Sequence, residues 1–429
     1  PWHAFEDAIT NNFSSVGTAI IMLLLIGAIG GTWMLSGVVS TMIYYGLKIL
    51  SPKIFLFACC IICAVVSLIT GSSWTTIATI GVALIGIGQS QGIAAPWIAG
   101  SIISGAYFGD KISPLSDTTV LASSSAGTPL FTHIRYMLIT TTPSLVIALL
   151  FFLIAGFSMA GVGEQDIASF NTALTSSFHI NIWLLLIPVI TLTLIAFKLP
   201  PLAILFIAVL MAALTLPFSQ PHIIRFLTDT QGRPGFLATC KGILISCYGS
   251  TQISTSSPML TELVATRGMG GMMNTIWLII CAMCFGGVMV SSGMIASITK
   301  LIMKFIRRCF SLVASTVLTG VFCNICLSDQ YLSILLTSNL FKDYYDKNGY
   351  EPRLLSCSTE DSATVTSVLV PWNTCGMTQA TVLNVATLAY LPYCIFNIVS
   401  PPHVHADCRH WIQDCKTPKI TATTVRQSS

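Results

Sequence analysis

Five long stretches of this chain contain no Asp, Glu, Lys or Arg: Ala8–Leu47, Ile54–Gly109, Tyr136–Gly163, Gly268–Thr299 and Ser362–Ala406. One helical bilayer crossing takes roughly 20 apolar residues, so Ile54–Gly109 alone has room for more than one. In lipid every backbone polar group must be satisfied by the protein itself, which leaves helices and closed barrels. Barrel strands alternate polar and apolar over short segments, and these runs do not. A water-soluble fold is excluded by charge: 8% of the 429 residues are charged and 54% are hydrophobic, against about 25% charged in soluble chains. Mean hydropathy is +0.80. We expect an all-α, polytopic membrane protein with about ten to twelve transmembrane or re-entrant segments. They are expected to form one integral membrane domain over residues 1–429. Spans are expected near 17–35, 36–50, 54–70, 91–109, 136–157, 180–197, 201–217, 274–298, 309–327 and 376–399.

The net charge of +4 is small and scattered, which gives no basis for nucleic-acid binding. Lys300, Lys304, Arg307 and Arg308 form a basic cluster between two apolar runs, as a cytoplasmic loop does under the positive-inside rule. Two CxxC pairs, Cys281/Cys284 and Cys323/Cys326, sit inside apolar runs and too far apart for a zinc ribbon. With Cys59, Cys60 and Cys63 they read as small hydrophobes. No cofactor is expected. At the start, Pro1 follows no initiator Met, and upstream residues are expected. Past Pro401 the chain turns abruptly polar, with His403, His405, Cys408, His410 and Cys415 in metal-like array. Back-translated with permissible codons and shifted by one base, Pro402–Lys416 reads instead as a membrane helix ending in basic residues, so 401–429 is expected to be a frameshifted tail.

Between the spans lie segments too polar, or too rich in Gly and Pro, for plain lipid-facing helices: Gly71–Gln91, Gly109–Pro129, Cys240–Arg267, Leu327–Leu340 and Cys357–Gly376. Broken helices at membrane depth survive only around a cavity or inside protein, and transporters place substrate sites there. Leu115-Ser116-Asp117 and Leu327-Ser328-Asp329 open two such segments, with Ser72/Ser73 and Ser291/Ser292 before them, a faint sign of two related halves.

An intramembrane carboxylate is costly and so marks function by default. Asp117 and Asp361 are the leading candidates, with Asp110 and Asp329 next. Asp110 has the alternative of pairing with Lys111 or another base. Asp343, Asp346 and Glu351 fall in a mixed-charge stretch, Phe341–Arg353, that reads as an aqueous loop. Hydroxyl and amide oxygens of Ser73, Thr75, Thr118, Thr119, Asn373 and Thr374 would complete the oxygen shell that Na⁺ requires. The phosphate loops GxGxxG and GxxxxGK[ST] are absent, which argues against an ATP-driven pump, and no helix carries HExxH, so no enzyme is expected. His133 and His179 are single residues at span edges, expected at the interface. A channel, passing current without counter-exchange, is the alternative from another class.

The stretch Gly109-Asp-Lys-Ile-Ser-Pro-Leu-Ser-Asp-Thr-Thr119 resembles the NhaC family of sodium/proton antiporters. So do Ala126-Gly-Thr128, Leu130-Phe-Thr-His-Ile-Arg135, Thr70-Gly-Ser-Ser-Trp-Thr75, Ser328-Asp-Gln-Tyr-Leu332, and Glu360-Asp-Ser through Pro371-Trp-Asn-Thr-Cys-Gly376. The resemblance runs in order from about residue 15 to 400. It implies inverted repeats with re-entrant hairpins, and exchange of Na⁺ for H⁺ across the bacterial inner membrane, with the lipid bilayer as partner and a homo-oligomer open. The alternative it implies is exchange of malate plus protons for lactate plus sodium. Under either scheme a carboxyl in a low-dielectric site favours its neutral form. Only a neutralised site crosses cheaply between the two faces.

Overall fold

The computed structural model describes residues 2–411 apart from 159–163, 198, 231, 233, 256–257, 305 and 307–308. Arg307 and Arg308 of the basic cluster, and Cys415 of the tail, lie outside the described residues, as do the side chains of His405, Cys408 and His410. Among the described residues the chain is helical, with an isolated bridge between Thr251 and Thr266.

Among the described residues, six helices are long and apolar enough to cross a bilayer: Gly17–Leu35, Pro52–Thr70, Leu130–Ser158, Pro201–Ser219, Met269–Ser291 and Phe310–Leu327. Many of their large apolar side chains point outward, with Phe131, Ile154, Phe218 and Trp277 all exposed. The interior packs apolar side chains such as Trp33, Phe55 and Phe152, and also holds polar groups, including the fully buried Lys111, Glu360 and Asp361. This distribution suits lipid, since apolar faces are free to meet acyl chains while charges must pair inside.

Other expected spans are interrupted, each for a local reason. Residues 36–50 yield only the 12-residue helix Val38–Ile49. The region 180–197 belongs to a bent pair, Ala168–Ser177 and Ile182–Ala196, that turns by 91°. The expected 274–298 span breaks at Gly293, which adopts φ 73° between Met273–Ser291 and Met294–Met303. The expected 376–399 span is three pieces, Thr374–Leu383, Thr387–Tyr390 and a helix that starts at Ile395. Asn384 ends the first of them at φ 53°, a left-handed conformation that Asn tolerates better than most residues. The expected loop at 341–353 is in part a helix, because Gln330–Lys347 continues through it with Asp343 and Asp346 exposed.

The closest helix pair carries the site. Pro52–Thr70 packs on Ala95–Ile112 so tightly that a Cβ at Gly105 would stand 2.1 Å from the Cys60 carbonyl oxygen. One at Gly109 would stand 2.3 Å from the Ala64 oxygen. Ser67 Oγ donates to the Ala106 carbonyl between them at 2.6 Å. Small residues four apart are how membrane helices bring backbones together. Here the contact fixes the rotation of Ala95–Ile112, and with it Asp110 and Lys111.

Candidate functional site

Several helix starts converge on a cavity of about 760 Å³. The first is the helical run that begins at Ser73 and passes through a π turn at Ile77–Gly81. Its Ser72 N-cap accepts from Thr75 N. The second is Asp117–Ala126, capped by Ser116 through Thr119 N and stopped by Gly127 at φ 79°. The third is Gln330–Lys347, capped by Asp329, whose side chain accepts from Leu332 N at 2.9 Å. The fourth is Thr374–Leu383, capped by Asn373 through Cys375 N at 3.1 Å. The two Leu-Ser-Asp segments therefore both open helices at the cavity, but one residue out of step: Ser116 caps the first and Asp329 caps the second. Ser291 and Ser292 are exposed at a helix end and have no part in the site.

Asp110, Asp117 and Asp329 line the cavity, with Thr75, Thr118 and Thr374 supplying hydroxyls and Gln330 an amide. Asp110 is held at the start of the Ser73 run, where its Oδ2 accepts from Ser73 N at 3.1 Å and Ser73 Oγ at 2.7 Å. Thr374 Oγ1 donates to Asp329 Oδ2 at 3.4 Å. Asp117 is exposed to the cavity in the first turn of its helix. Among the described residues, no Lys, Arg or His lines this space.

Four of the expected ligands are not in the lining. Ser73 spends its groups on Asp110. Thr119 is buried and donates to the Lys111 carbonyl at 3.0 Å, closing the end of Ala95–Ile112. Asn373 caps its helix and reaches Asn324 O at 3.2 Å. Asp361 sits outside the cavity lining in a buried layer with Lys111.

That layer corrects the pairing considered for Asp110. Lys111 makes its salt bridge with Asp361, not with Asp110, and also donates to Ser400 Oγ at 3.0 Å. Neighbours in a helix point to different sides, so Asp110 turns to the cavity while Lys111 turns away from it. Ser400 Oγ and Cys357 Sγ complete the shell of Asp361, the thiol at 3.3 Å. Glu360, the preceding residue, is fully buried beside the same ammonium. His133 is also no interfacial residue, since it is fully buried with Nδ1 against Ser356 Oγ at 2.8 Å.

Sequence reasoning missed Lys111, Gln330 and Asn324 as parts of the site. Lys111 left one visible signal. Between Lys53 and Arg135 the only charged residues are Asp110, Lys111 and Asp117, and a lone cation in so long an apolar region needs a buried partner. Among the described residues, the cavity and the layer behind it hold five carboxylates (Asp110, Asp117, Asp329, Glu360 and Asp361) and one ammonium, Lys111. Fully ionised the cluster would carry a net charge of −4, and burial of such charge demands bound protons or cations.

Three comparisons bear on what the site handles. The Na⁺/H⁺ antiporter family matches residues 1–128 and 105–404 of the chain. A malate-2H⁺/Na⁺-lactate antiporter of Bacillus subtilis is 35% identical over 397 residues, which cover 92% of this chain and 81% of that protein. The Na⁺/H⁺ antiporter NhaC of Alkalihalophilus pseudofirmus is 35% identical over 402 residues, covering 93% of this chain and 83% of that one.

Proposed function

The chain belongs to the Na⁺/H⁺ antiporter family, and on that premise we propose that it exchanges Na⁺ for H⁺ across the bacterial inner membrane. It is a multi-pass membrane transporter. The two ions compete for the cavity carboxylates Asp117, Asp110 and Asp329, with hydroxyls of Thr75, Thr118 and Thr374 as neutral oxygen donors. Ser73, Thr119 and Asn373 hold this shell in place. Asp361, through its ion pair with Lys111, sets the charge of the layer behind. The observation that carries the reading is the meeting of three carboxylates, Asp110, Asp117 and Asp329, in one lining. Such a lining attracts cations and repels a free dicarboxylate.

Coupling then needs no further device. A cavity with neither ion is strongly anionic and costly to carry through the bilayer. Loaded with Na⁺ or with protons it is neutralised and can change its exposure, so each ion returns in exchange for the other. The broken helices supply the moving parts, since their starts meet at the cavity and rigid segments on either side can rock about it.

The second reading is sodium-coupled exchange of malate and lactate, favoured by the relative that bears that name. Proteoliposomes of the purified protein with a pH-sensitive dye inside separate the two. Addition of Na⁺ with no organic acid present should move protons. Movement only after malate and lactate are supplied would replace the first reading with the second. Current without saturable counter-exchange would make the protein a channel.

A further inference from the structure

Behind the cavity one group is left unmatched. Glu360 is completely buried, and among the described residues neither of its carboxyl oxygens receives a well-formed hydrogen bond, the hydroxyls of Thr364 and Thr118 being its loose neighbours. It opens the π turn Glu360–Thr364, a rare form of helix that concentrates at functional positions. One turn along, Thr364 Oγ1 is also buried without a hydrogen-bond partner. The hydroxyl of Thr118, which lines the cavity, also neighbours the carboxyl. The charged groups that face Glu360 from the packed helices are Lys111 and Asp110, both on Ala95–Ile112.

The charge of this layer does not balance. Lys111 is engaged by Asp361, which also draws on Ser400 and Cys357. A single ammonium offsets one of the two adjacent carboxylates, so with both ionised one negative charge is left over. Buried polar groups without partners are rare, and here the unused oxygens come from two residues that share one helical turn. Weakly engaged oxygens around a carboxylate that, when ionised, has no counter-charge of its own describe a place for a hard monovalent cation. Thr118 gives that place a wall in common with the cavity.

We propose that Glu360 and Thr364, with Thr118 at the cavity side, form an inner Na⁺ site, reached from the cavity and closed off from water. The site rests on the exchange reading above, and adds to it a station where the ion sits dehydrated. Na⁺ there brings the layer of Lys111, Asp361 and Glu360 to neutrality without moving the ion pair. Na⁺ held only in the open cavity would exchange with water at once, whereas Na⁺ at Glu360 leaves slowly.

The test is retention of ²²Na⁺ by the purified full-length protein through rapid gel filtration in Na⁺-free buffer. Wild type should retain a stoichiometric amount, Glu360→Gln none, and Glu360→Asp a reduced amount. Thr364→Val, nearly the same shape with the hydroxyl removed, should retain less than wild type, and it serves where Glu360→Gln does not fold. Glu360→Gln or Thr364→Val that retains as much as wild type would overturn the site. So would a wild type that retains none, which would mean that a proton alone neutralises Glu360. Na⁺-driven proton movement by wild type in vesicles keeps the two ideas apart. If it is absent the exchange reading fails, and if it is present while the variants retain Na⁺ unchanged, only the inner site fails.

Discussion

Removal of Lys111 is the sharpest perturbation of this architecture. Lys111 and Asp361 are both completely buried, and Lys111→Met keeps the length of the side chain while deleting its charge. Loss of one partner from a buried pair costs about 3–5 kcal/mol, because the survivor is left charged without compensation. Asp361 has one escape, which is to be buried protonated. From an ordinary aspartate value near 3.9, holding that proton at pH 7 costs about 1.4 kcal/mol per pH unit, or about 4 kcal/mol. The two routes agree in size, so the variant should be destabilised by about 4 kcal/mol at neutral pH. The sign of the pH dependence follows. In this variant the native state holds a proton that the unfolded state has released, so stability falls as pH rises. Between pH 7.5 and 5.5 the variant should regain about 2.8 kcal/mol relative to wild type. The assay is thermal and denaturant unfolding in detergent, followed by the intrinsic fluorescence of the eight tryptophans. Lys111→Met with Asp361→Asn should recover most of the loss. A single variant equally unstable at both pH values, or a double variant no better than the single, would refute the argument.

Asp117→Asn should insert and fold as wild type, because Asp117 is exposed to the cavity and carries no structural bond, yet lose Na⁺-driven proton movement in vesicles. Ser73→Ala removes the 2.7 Å hydrogen bond to Asp110, worth about 1.5–3 kcal/mol for a charged acceptor. It should weaken Na⁺ dependence in a flux titration more than it lowers yield. Gly109→Ala forces a Cβ to within 2.3 Å of Ala64 O and 2.6 Å of Leu68 N, both backbone, and should cost about 1–3 kcal/mol in a detergent melt. The half-saturating Na⁺ concentration for exchange should rise up to about tenfold per pH unit on acidification where one proton displaces one Na⁺. A value that does not change with pH would separate the two ions' sites.

Much of the fold was legible because lipid leaves few options. A charge-free run such as Ile54–Gly109 admits little besides helices, and the polar interruptions at Gly109–Pro129 and Leu327–Leu340 correctly marked helix starts around a cavity. Legibility stopped where tertiary contact decides. Asp110 and Lys111 are adjacent in sequence, but the partner of Lys111 lies 250 residues away, and no local pattern points to it. Asn384 breaks an apolar run by backbone conformation alone, which composition does not register. Thr119 looked like any other hydroxyl beside Asp117, and only the end of Ala95–Ile112 folded against it shows that its oxygen serves the backbone. Glu360 stood in plain view within Glu-Asp-Ser, but its isolation is a property of burial and not of spacing.

The central claim is that Na⁺ and H⁺ displace one another at shared carboxylates. Proton release from the purified protein on Na⁺ addition, read by a pH indicator in weakly buffered detergent solution without organic acid, tests it directly. The account expects Na⁺ to release protons from wild type and Asp117→Asn to release fewer, with K⁺ at the same ionic strength as control. Na⁺ binding that releases no protons would contradict it.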